Sequence, residues 1–398
     1  MTTTTARYRS ALRVPSAPIV VLATFLVAVS APARGLALVF LLHQSRGSYG
    51  LAGVCLGASA LGAALCAPVR GWLTDRFGQT RVLLSMLWVY LTAWTAVVIG
   101  VSRLPDTVVV LLCATGGAFF PPVYACIRTA WASTLSGDPR LGSAYALTAA
   151  VQSAAVIAAP LLTGFVALAS ARAALLLAAA FCTAGTLMFT RSRLSRHVPA
   201  AGRRRRVGAP LGRPGLRVLC GATLCVGAVS GVLGVTVPAA VGTKVATGVL
   251  LACLAVADIA GSLWYGSRDR PAPRAAPFAS CLTAVAGVAL LLWPIAGSVP
   301  LAGLAMLCLG ALNGVVGVIA LHLIDDVTDH GSATESFTWI ASAQLAGSSL
   351  GSAAAGSAIQ AAHGAGPAFL VAAIPAAIGA GVVWAGRRTL APEAPVGN

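Results

Sequence analysis

The chain has 398 residues, of which 58% are hydrophobic and 9% are charged, and its mean hydropathy is +0.87. Soluble proteins carry about 25% charged residues, so this composition excludes an ordinary soluble enzyme, a disordered chain and a disulfide-stapled scaffold. The 27 basic residues outnumber the 10 acidic ones, but no stretch is polar enough to present a basic face to nucleic acid. We therefore predict a membrane protein with many spans and no nucleic-acid partner.

Apolar segments long enough to cross about 30 Å of hydrocarbon recur along the whole chain. They predict twelve transmembrane helices, at about 17–42, 50–73, 82–101, 107–128, 144–169, 173–190, 216–240, 245–265, 276–297, 299–323, 336–361 and 365–386. The eleventh is small and polar in composition rather than strongly apolar. All ten cysteines lie inside these segments and no CxxC pair occurs, so we predict no disulfide, no metal site and no cofactor.

The distribution of basic residues predicts the orientation of the chain. With the N-terminus in the cytoplasm and alternating spans, 22 of the 27 Lys and Arg residues fall on the cytoplasmic side, Arg70 among them. Four fall on the outer side, and Arg34 lies within the first span. Because basic residues favour the cytoplasmic side, we predict a multi-pass protein of the plasma (inner) membrane with both termini in the cytoplasm.

The longest connection, residues 191–215, is basic and contains Pro and Gly (RSRLSRHVPAAGRRRRVGAPLGRPG). It divides the chain into an N-terminal six-helix bundle at 1–190 and a C-terminal one at 216–398. Two interpretations stay open: a cytoplasmic linker whose charge only fixes topology, which we favour, and an anchor on anionic lipid.

A short loop, GWLTDRFGQTR, joins the second and third spans from Gly71 to Arg81, and a weaker copy, GSLWYGSRDR, runs from Gly261 to Arg270. Aligning Gly261 with Gly71 suggests a duplicated six-helix unit. The loop resembles the signature of the major facilitator superfamily, G-x-L-x-D-R-x-G-R-[KR]-x, departing from it at Gln79 and Thr80. The matching positions are Gly71, Leu73, Asp75, Arg76, Gly78 and Arg81. The segment TESFTW, Thr334 to Trp339, looks like that of bacterial drug and metabolite exporters.

The resemblance implies an all-α membrane fold in which twelve transmembrane helices form two pseudo-symmetric six-helix bundles. It also implies that the loop latches the bundles together when the cavity faces outward. A carboxylate at Asp75 would lie against the N-terminus of the eleventh span, a location that stabilises it by about 0.3–1 kcal/mol, and Arg76 and Arg81 would pair with Glu335. The alternative is a loop that only sets topology. The predicted latch consists of Gly71, Asp75, Arg76, Gly78, Arg81 and Glu335.

Two ionisable residues lie inside spans, where charges are costly and usually functional. Asp258 is a candidate for proton coupling, or else a permanently ionised member of a buried pair with Arg128 or Arg70. Arg34 lies about 17 residues into the first span. We expect it to face the cavity and hold an anionic substrate group or a counter-ion, with helix packing or snorkelling as the alternative. Asp258 and Arg34 differ in depth by roughly 15 Å, so we expect no direct salt bridge between them.

In the implied fold, the first, fourth, seventh and tenth spans line a central cavity. The fourth span offers Phe119, Phe120 and Tyr124 beside a Pro-Pro pair, and the tenth offers Asn313. An aromatic surface with few hydrogen-bonding groups suits an amphipathic or aromatic ligand better than a sugar. Aromatic residues in membrane helices also serve as packing, so that interpretation stays open.

Two further patterns concern helix packing. The fifth span contains AAPLLTG, which keeps Pro160 and Gly164 of a segment found in antiporters but has Ala159 in place of its glycine. Glycines spaced by four residues allow helices to approach closely. These pairs are Gly53/Gly57, Gly227/Gly231, Gly310/Gly314 and Gly347/Gly351.

These features predict a monomeric secondary transporter that moves a small organic solute by alternating access, as proton-coupled efflux of a drug or metabolite. The alternatives are an importer or facilitator of a small nutrient and a non-transporting polytopic membrane protein. A membrane enzyme would need a constellation such as HExxH, GxSxG or paired acids, and an ATP-driven pump would need GxxxxGK[ST]. We expect none of these, and therefore no enzymatic activity. The expected partners are a small-molecule substrate, the proton as coupling ion and the lipid bilayer.

Overall fold

The computed structural model describes residues 14, 16–135, 138, 140–196, 212–241, 243–266, 274–295, 298–327, 333–362 and 366–390, and the regular structure in these ranges is helical. The helices are α1 (Ala17–Arg46), α2 (Tyr49–Phe77), α3 (Gln79–Gly100), α4 (Asp106–Ala118), α5 (Val123–Thr134), α6 (Arg140–Ala169), α7 (Ala171–Arg191), α8 (Arg193–Arg196), α9 (Pro214–Ala240), α10 (Lys244–Gly266), α11 (Ala275–Ile295), α12 (Val299–Val327), α13 (Ala333–Ala362) and α14 (Leu370–Ala385), with a 3-10 turn at Pro367–Phe369 before the last.

Within the described ranges, eleven helical segments are long and apolar enough to cross a membrane, and α4 with α5 counts as one of them. They correspond to every predicted span except the eleventh. That span is the 30-residue helix α13, whose run of Gly, Ala and Ser keeps it outside this apolar set. The prediction of an all-α membrane fold is confirmed.

The same pairing of helices occurs twice along the chain. In the first half α1 packs on α6 and α7, and α2 packs on α4; in the second half α9 packs on α13 and α14, and α10 packs on α12. The two halves meet along two seams, α2 against α13 and α6 against α10. The predicted linker boundaries stay a prediction, because residues 197–211 lie outside the described ranges.

Glycines set the register of the equivalent pairs α2–α4 and α10–α12. A methyl group at Gly62 would overlap the carbonyl oxygen of Ala114, and one at Gly117 would overlap that of Ser59. In the second half, Gly261 lies in the same way against Ala311, and Gly314 against Asp258. On each of the four helices the two contacting residues are three positions apart, and the contacts are made in the same order. The two helix pairs are therefore structural copies.

These contacts correct the alignment of the internal repeat. Gly261 corresponds to Gly62 and not, as the loop sequences suggested, to Gly71. Gly71 lies in open space, with no heavy atom of the described residues within 4 Å of a methyl group placed on it. The duplication is therefore clearest in the helix interfaces, where backbone contact restricts the residues that fit, and weaker in the loops.

The fourth span is broken by its two prolines. Pro121 and Pro122 lie between α4 and α5, and neither can donate the backbone hydrogen bond that would continue the helix. The amide of Phe120 bonds to the carbonyl of Gly117, and that of Val123 bonds to Pro121. The carbonyl of Phe120 is left without a helical donor in the middle of the span.

The helices α9 and α13 approach through glycines on both sides. Methyl groups at Gly227 and Gly231 would overlap the carbonyl oxygens of Gln344 and Ser348. Those at Gly347 and Gly351 would overlap the carbonyls of Leu224 and Ala228. The four-residue spacings in the sequence therefore do mark close helix contacts, as predicted.

The segment Gly347–Gly351 reads GSSLG, which matches the GxSxG string that we expected to be absent. In hydrolases this string forms a sharp turn from a strand to a helix, which exposes the serine. Here it lies within the continuous helix α13, and Ser349 is 8% exposed. The match gives no support to an enzymatic function.

We predict that Gly347→Ala lowers the thermal unfolding midpoint of the purified protein, because its methyl group overlaps the Leu224 carbonyl and overpacking costs about 1–3 kcal/mol. Gly381→Ala in α14 is the matched control, since no described heavy atom lies within 4 Å of the added methyl group and alanine favours the helix. Tryptophan fluorescence during heating in detergent measures both. Equal midpoints for the two variants would contradict this packing.

Candidate functional site

The carboxylate of Asp258 in α10 accepts a hydrogen bond from Nδ2 of Asn313 in α12, at 2.7 Å. The two helices come this close because Gly314 and Gly310 leave room for the backbone of α10. Asp258 is half-buried. Two residues that the sequence singled out separately, one for proton coupling and one for the cavity, are therefore direct partners.

This pairing corrects the expectation that Asp258 pairs with an arginine. Arg128 is exposed and lies over the ring of Tyr145, with 5.6 Å between its Cζ and the ring centroid. Arg70 is hydrogen-bonded inside the first half of the chain. The described partner of the Asp258 side chain is a neutral amide, so the carboxylate is not held in an ion pair with either arginine.

A cavity of about 130 Å³ lies inside the second half, between α9, α10, α11 and α12. Asn313 and Ser230 supply the polar side chains of its lining. The other lining residues are apolar or glycine: Val226, Val229, Leu233, Gly234, Leu251, Leu254, Leu282, Val285, Leu309 and Val316. Asn313 thus connects an apolar cavity to the carboxylate of Asp258.

The guanidinium of Arg34 lies among aromatic rings in the first half. Its Cζ is 5.2 Å from the ring centroid of Trp94 in α3 and 5.2 Å from that of Phe120, at the break in the fourth span. Tyr90, one turn before Trp94, lies beside the same guanidinium and packs edge-on against Phe120 at 5.8 Å. These are cation–π contacts, which are strongest where water is excluded.

Arg70 in α2 reaches the same region from the other side. Its Nη1 donates to the carbonyl of Phe120 and its Nη2 to that of Ala63, both at 2.7 Å. It is 8% exposed. Arg70, which the charge count placed on the cytoplasmic side, is thus a buried side chain of the first half and not a loop residue. It lies near the end of the predicted 50–73 span. The proline pair frees the Phe120 carbonyl, and this was the sequence signal that could have indicated a buried donor such as Arg70.

The predicted cavity residues fall into separate groups. Arg34 and Phe120 lie together, Asn313 lies in the second half, and Phe119 and Tyr124 are exposed at 38% and 39%. Sequence reasoning missed Arg70, Tyr90 and Trp94. The four-residue spacing of Tyr90 and Trp94 places them on one helix face, which is an ordinary packing pattern and carries no signal by itself.

Gly78 is the single residue between α2 and α3, and its φ of +84° is a backbone conformation that suits glycine. Arg76 lies over the rings of Trp72 and Phe77, and Arg81 is exposed. The side chains of Asp75 and Glu335 lie outside the described part of the structure. The latch therefore stays a prediction.

The two seams between the halves lie at the same end of the molecule. We call it the seam end: it is the end at which Gly47 connects α1 to α2 and Ser170 connects α6 to α7. At the α2–α13 seam, Gly53 and Gly57 lie against the backbone of Ser352 and Ser349.

At the α6–α10 seam, Gly248 lies against Pro160, and Gly164 against Lys244. The Lys244 ammonium crosses from one half to the other and donates to the carbonyl of Ala167 at 2.6 Å. Pro160 and Gly164, which the sequence linked to antiporters, therefore lie in the interface between the halves.

The profile of the Major Facilitator Superfamily matches residues 19–352. Among similar solved structures, a peptide transporter in complex with sulfate has a TM-score of 0.73 at 13% identity, over 97% of this chain and 98% of the other. An inward-facing, occupied bacterial homolog of the human lysosomal transporter Spinster has 0.73 at 14% identity, over 96% and 97%. A mutant of the nucleoside transporter NupG has 0.72 at 12% identity, over 93% and 99%. No curated protein sequence matches the chain.

We predict that Asp258 and Asn313 are energetically coupled. Asn313→Ala should lower the free energy of unfolding by about 1.5–3 kcal/mol in the natural sequence, as expected when a hydrogen bond to a charged group is lost, and by much less in an Asp258→Ala background. A double-mutant cycle measured by equilibrium unfolding in detergent gives the coupling. The control cycle replaces Asn313→Ala with Ser230→Ala, which should add to Asp258→Ala. Full additivity for Asn313 would contradict the pairing.

Proposed function

Because the chain belongs to the major facilitator superfamily, we propose that it is a secondary transporter that carries a small organic solute across the membrane by alternating access. The observation that carries this proposal is the position of the two seams. Both join the halves at the seam end, and the two hydrogen bonds described between the halves, Lys244 to Ala167 and Tyr49 to Pro238, lie there too. Such an arrangement suits two bundles that rock around a central site.

The conformation follows from the predicted orientation. If both termini are cytoplasmic, the seam end faces outward, and the structure is closed to the outside. The signature loop with Gly78 then lies at the opposite, cytoplasmic end. In this conformation the predicted latch is released, and it would engage when the bundles rock to close the cytoplasmic end.

Proton coupling at Asp258 is supported by the nature of its partner. An amide can remain hydrogen-bonded to a carboxylate and also, after a rotation that presents its oxygen, to a protonated carboxyl group. A carboxylate held by arginine would instead have to lose a salt bridge on protonation, which is costly inside the membrane. The amide partner therefore favours a proton-exchanging Asp258 over a permanently ionised one.

We propose export as the direction of transport, with the chain acting as a monomer in the plasma membrane and without enzymatic activity. The export proposal rests on the exporter-like TESFTW segment and on Pro160 and Gly164 in the α6–α10 seam. An importer or facilitator would use the same helices, so the direction of flux must be measured in inside-out vesicles with and without a pH gradient.

We predict that the seam end opens and closes. Spin labels at Leu168 in α6 and Val245 in α10, both exposed, should give two distance populations in a variant without the ten native cysteines. Gly164→Leu should remove the short-distance population, because a leucine cannot fit against the Lys244 backbone. Gly287→Leu is the control, since no described heavy atom lies near that position. A single distance that no solute or pH change alters would argue against alternating access.

We predict that Asp258→Asn abolishes solute-evoked proton movement while the protein stays folded. Proteoliposomes that contain a pH-sensitive dye measure this movement against a panel of small organic solutes. Asp138→Asn is the matched control, because Asp138 forms a surface pair with Arg140 at 2.6 Å. Unchanged proton movement in Asp258→Asn would show that another group carries the proton.

A further inference from the structure

Hydrogen-bond donors gather inside the first half with few acceptors beside them. The buried Nε of Arg70 and Nε1 of Trp94 are unpartnered among the described residues, and the guanidinium of Arg34 lies within hydrogen-bonding reach of the Tyr90 phenol. Their side chains gather around Phe120, which contacts Arg34 through its ring and Arg70 through its carbonyl. Buried polar atoms without partners are rare in proteins, and the unpartnered donors of Arg70 and Trp94 in this cluster indicate a missing acceptor.

The cluster also lacks negative charge. The first half contains three acids: Asp106 pairs with Arg46 at 3.2 Å, Asp138 pairs with Arg140, and the side chain of Asp75 lies outside the described ranges. No described carboxylate therefore faces Arg34 or Arg70. The two guanidinium groups, which are positively charged, thus have no described counter-ion.

The contacts that hold the arginines do not balance this charge. The carbonyls of Phe120 and Ala63 and the rings of Trp94 and Phe120 stabilise a cation only in part. Water would satisfy the Tyr90 and Trp94 donors but would leave two positive charges in a medium that opposes them. An anion satisfies both requirements at once.

We propose that Arg34, Arg70, Tyr90 and Trp94 form a binding site for the carboxylate or phosphate group of an organic anion, which is the transported solute. This inference rests on the proposed transport function and specifies its substrate class. The guanidinium forks match the geometry of carboxylate and phosphate oxygens, and the phenol and indole supply two further donors. Arg34 is half-buried whereas Arg70 is 8% exposed, so Arg34 is the more accessible of the two arginines.

The test compares a charged probe with a neutral one of the same shape. Benzoate and benzamide are titrated into the purified protein in a neutral detergent, and binding is followed by Trp fluorescence and by the thermal unfolding midpoint. Benzoate should raise the midpoint and change the fluorescence saturably, and benzamide should do neither. Equal responses to both probes, or no response to either benzoate or phenyl phosphate, would overturn the proposal without the need for any variant.

Variants then locate the site. Arg34→Gln and Arg70→Gln should each weaken benzoate binding by about tenfold or more, the loss expected for a hydrogen bond between charged groups. Arg70→Lys keeps the charge and serves where Arg70→Gln does not fold; it should bind benzoate more weakly than the natural protein because the fork geometry is lost. Arg128→Gln is the control, since Arg128 is exposed in the same half. Undiminished benzoate binding in Arg34→Gln and in the Arg70 variants would place the anion elsewhere.

An anionic lipid headgroup offers the same chemistry as a soluble anion. Nanodiscs of phosphatidylcholine with and without phosphatidylglycerol distinguish the two. A lipid occupant would abolish benzoate binding only in the membrane that contains phosphatidylglycerol, and this result would overturn the assignment to a solute. The spin-label distances between Leu168 and Val245 report alternating access separately. If those distances change while benzoate fails to bind, the transport function stands and the organic-anion assignment falls.

Discussion

Hydrocarbon offers no hydrogen bonds, so a backbone group that is freed inside a membrane span needs a partner elsewhere in the protein. The break at Pro121 and Pro122 shows the consequence most directly. Two prolines free the carbonyl of Phe120 in the middle of a span, and Arg70 reaches from α2 to satisfy it. That interaction brings a charge into the interior, next to Arg34. The donor-rich cluster around Phe120 thus follows from an interrupted helix, because the group that repairs the break is an arginine.

The two halves share a backbone register and have diverged in the side chains placed on it. Ser59 and Asp258 occupy equivalent positions against Gly117 and Gly314. One residue before each of these glycines, the second half has Asn313, which bonds Asp258. The first half has Gly116 there, and a methyl group on it would lie 2.5 Å from the Trp94 indole nitrogen. Two differences, Asp258 in place of Ser59 and Asn313 in place of Gly116, thus create the acid–amide pair beside an apolar cavity, where the first half has an aromatic cluster that holds two arginines.

The sequence predicted the spans, the glycine contacts and the two intramembrane charges because each depends on composition or on spacing within one helix. It did not predict partners. Counting residues along a helix gives the depth of Asp258 but not the face that meets α12, so an arginine was expected where Asn313 lies. The count of basic residues treated Arg70 like an arginine in a loop, although it lies just inside the end of its span. The polar composition of α13 lowers its hydropathy below that of the other spans. Hydropathy does not take into account that α2 and α9 cover this helix.

That polarity has a physical explanation in the two faces of α13. One face packs on α9 within its own half, where Gly347 and Gly351 lie against the backbone of Leu224 and Ala228. The other meets α2 across the seam through Ser349 and Ser352. In the alternating-access cycle that we propose, the halves separate at the seam end, and this face then leaves a helix contact and lines an aqueous path. Small hydroxyl side chains tolerate both surroundings. Leucines at these positions would favour the closed seam, and glycines in place of the serines would weaken the helix. The two hydrogen bonds described across the halves are worth about 0.5–1.5 kcal/mol each, so they add only a few kcal/mol to the cost of separating the seams.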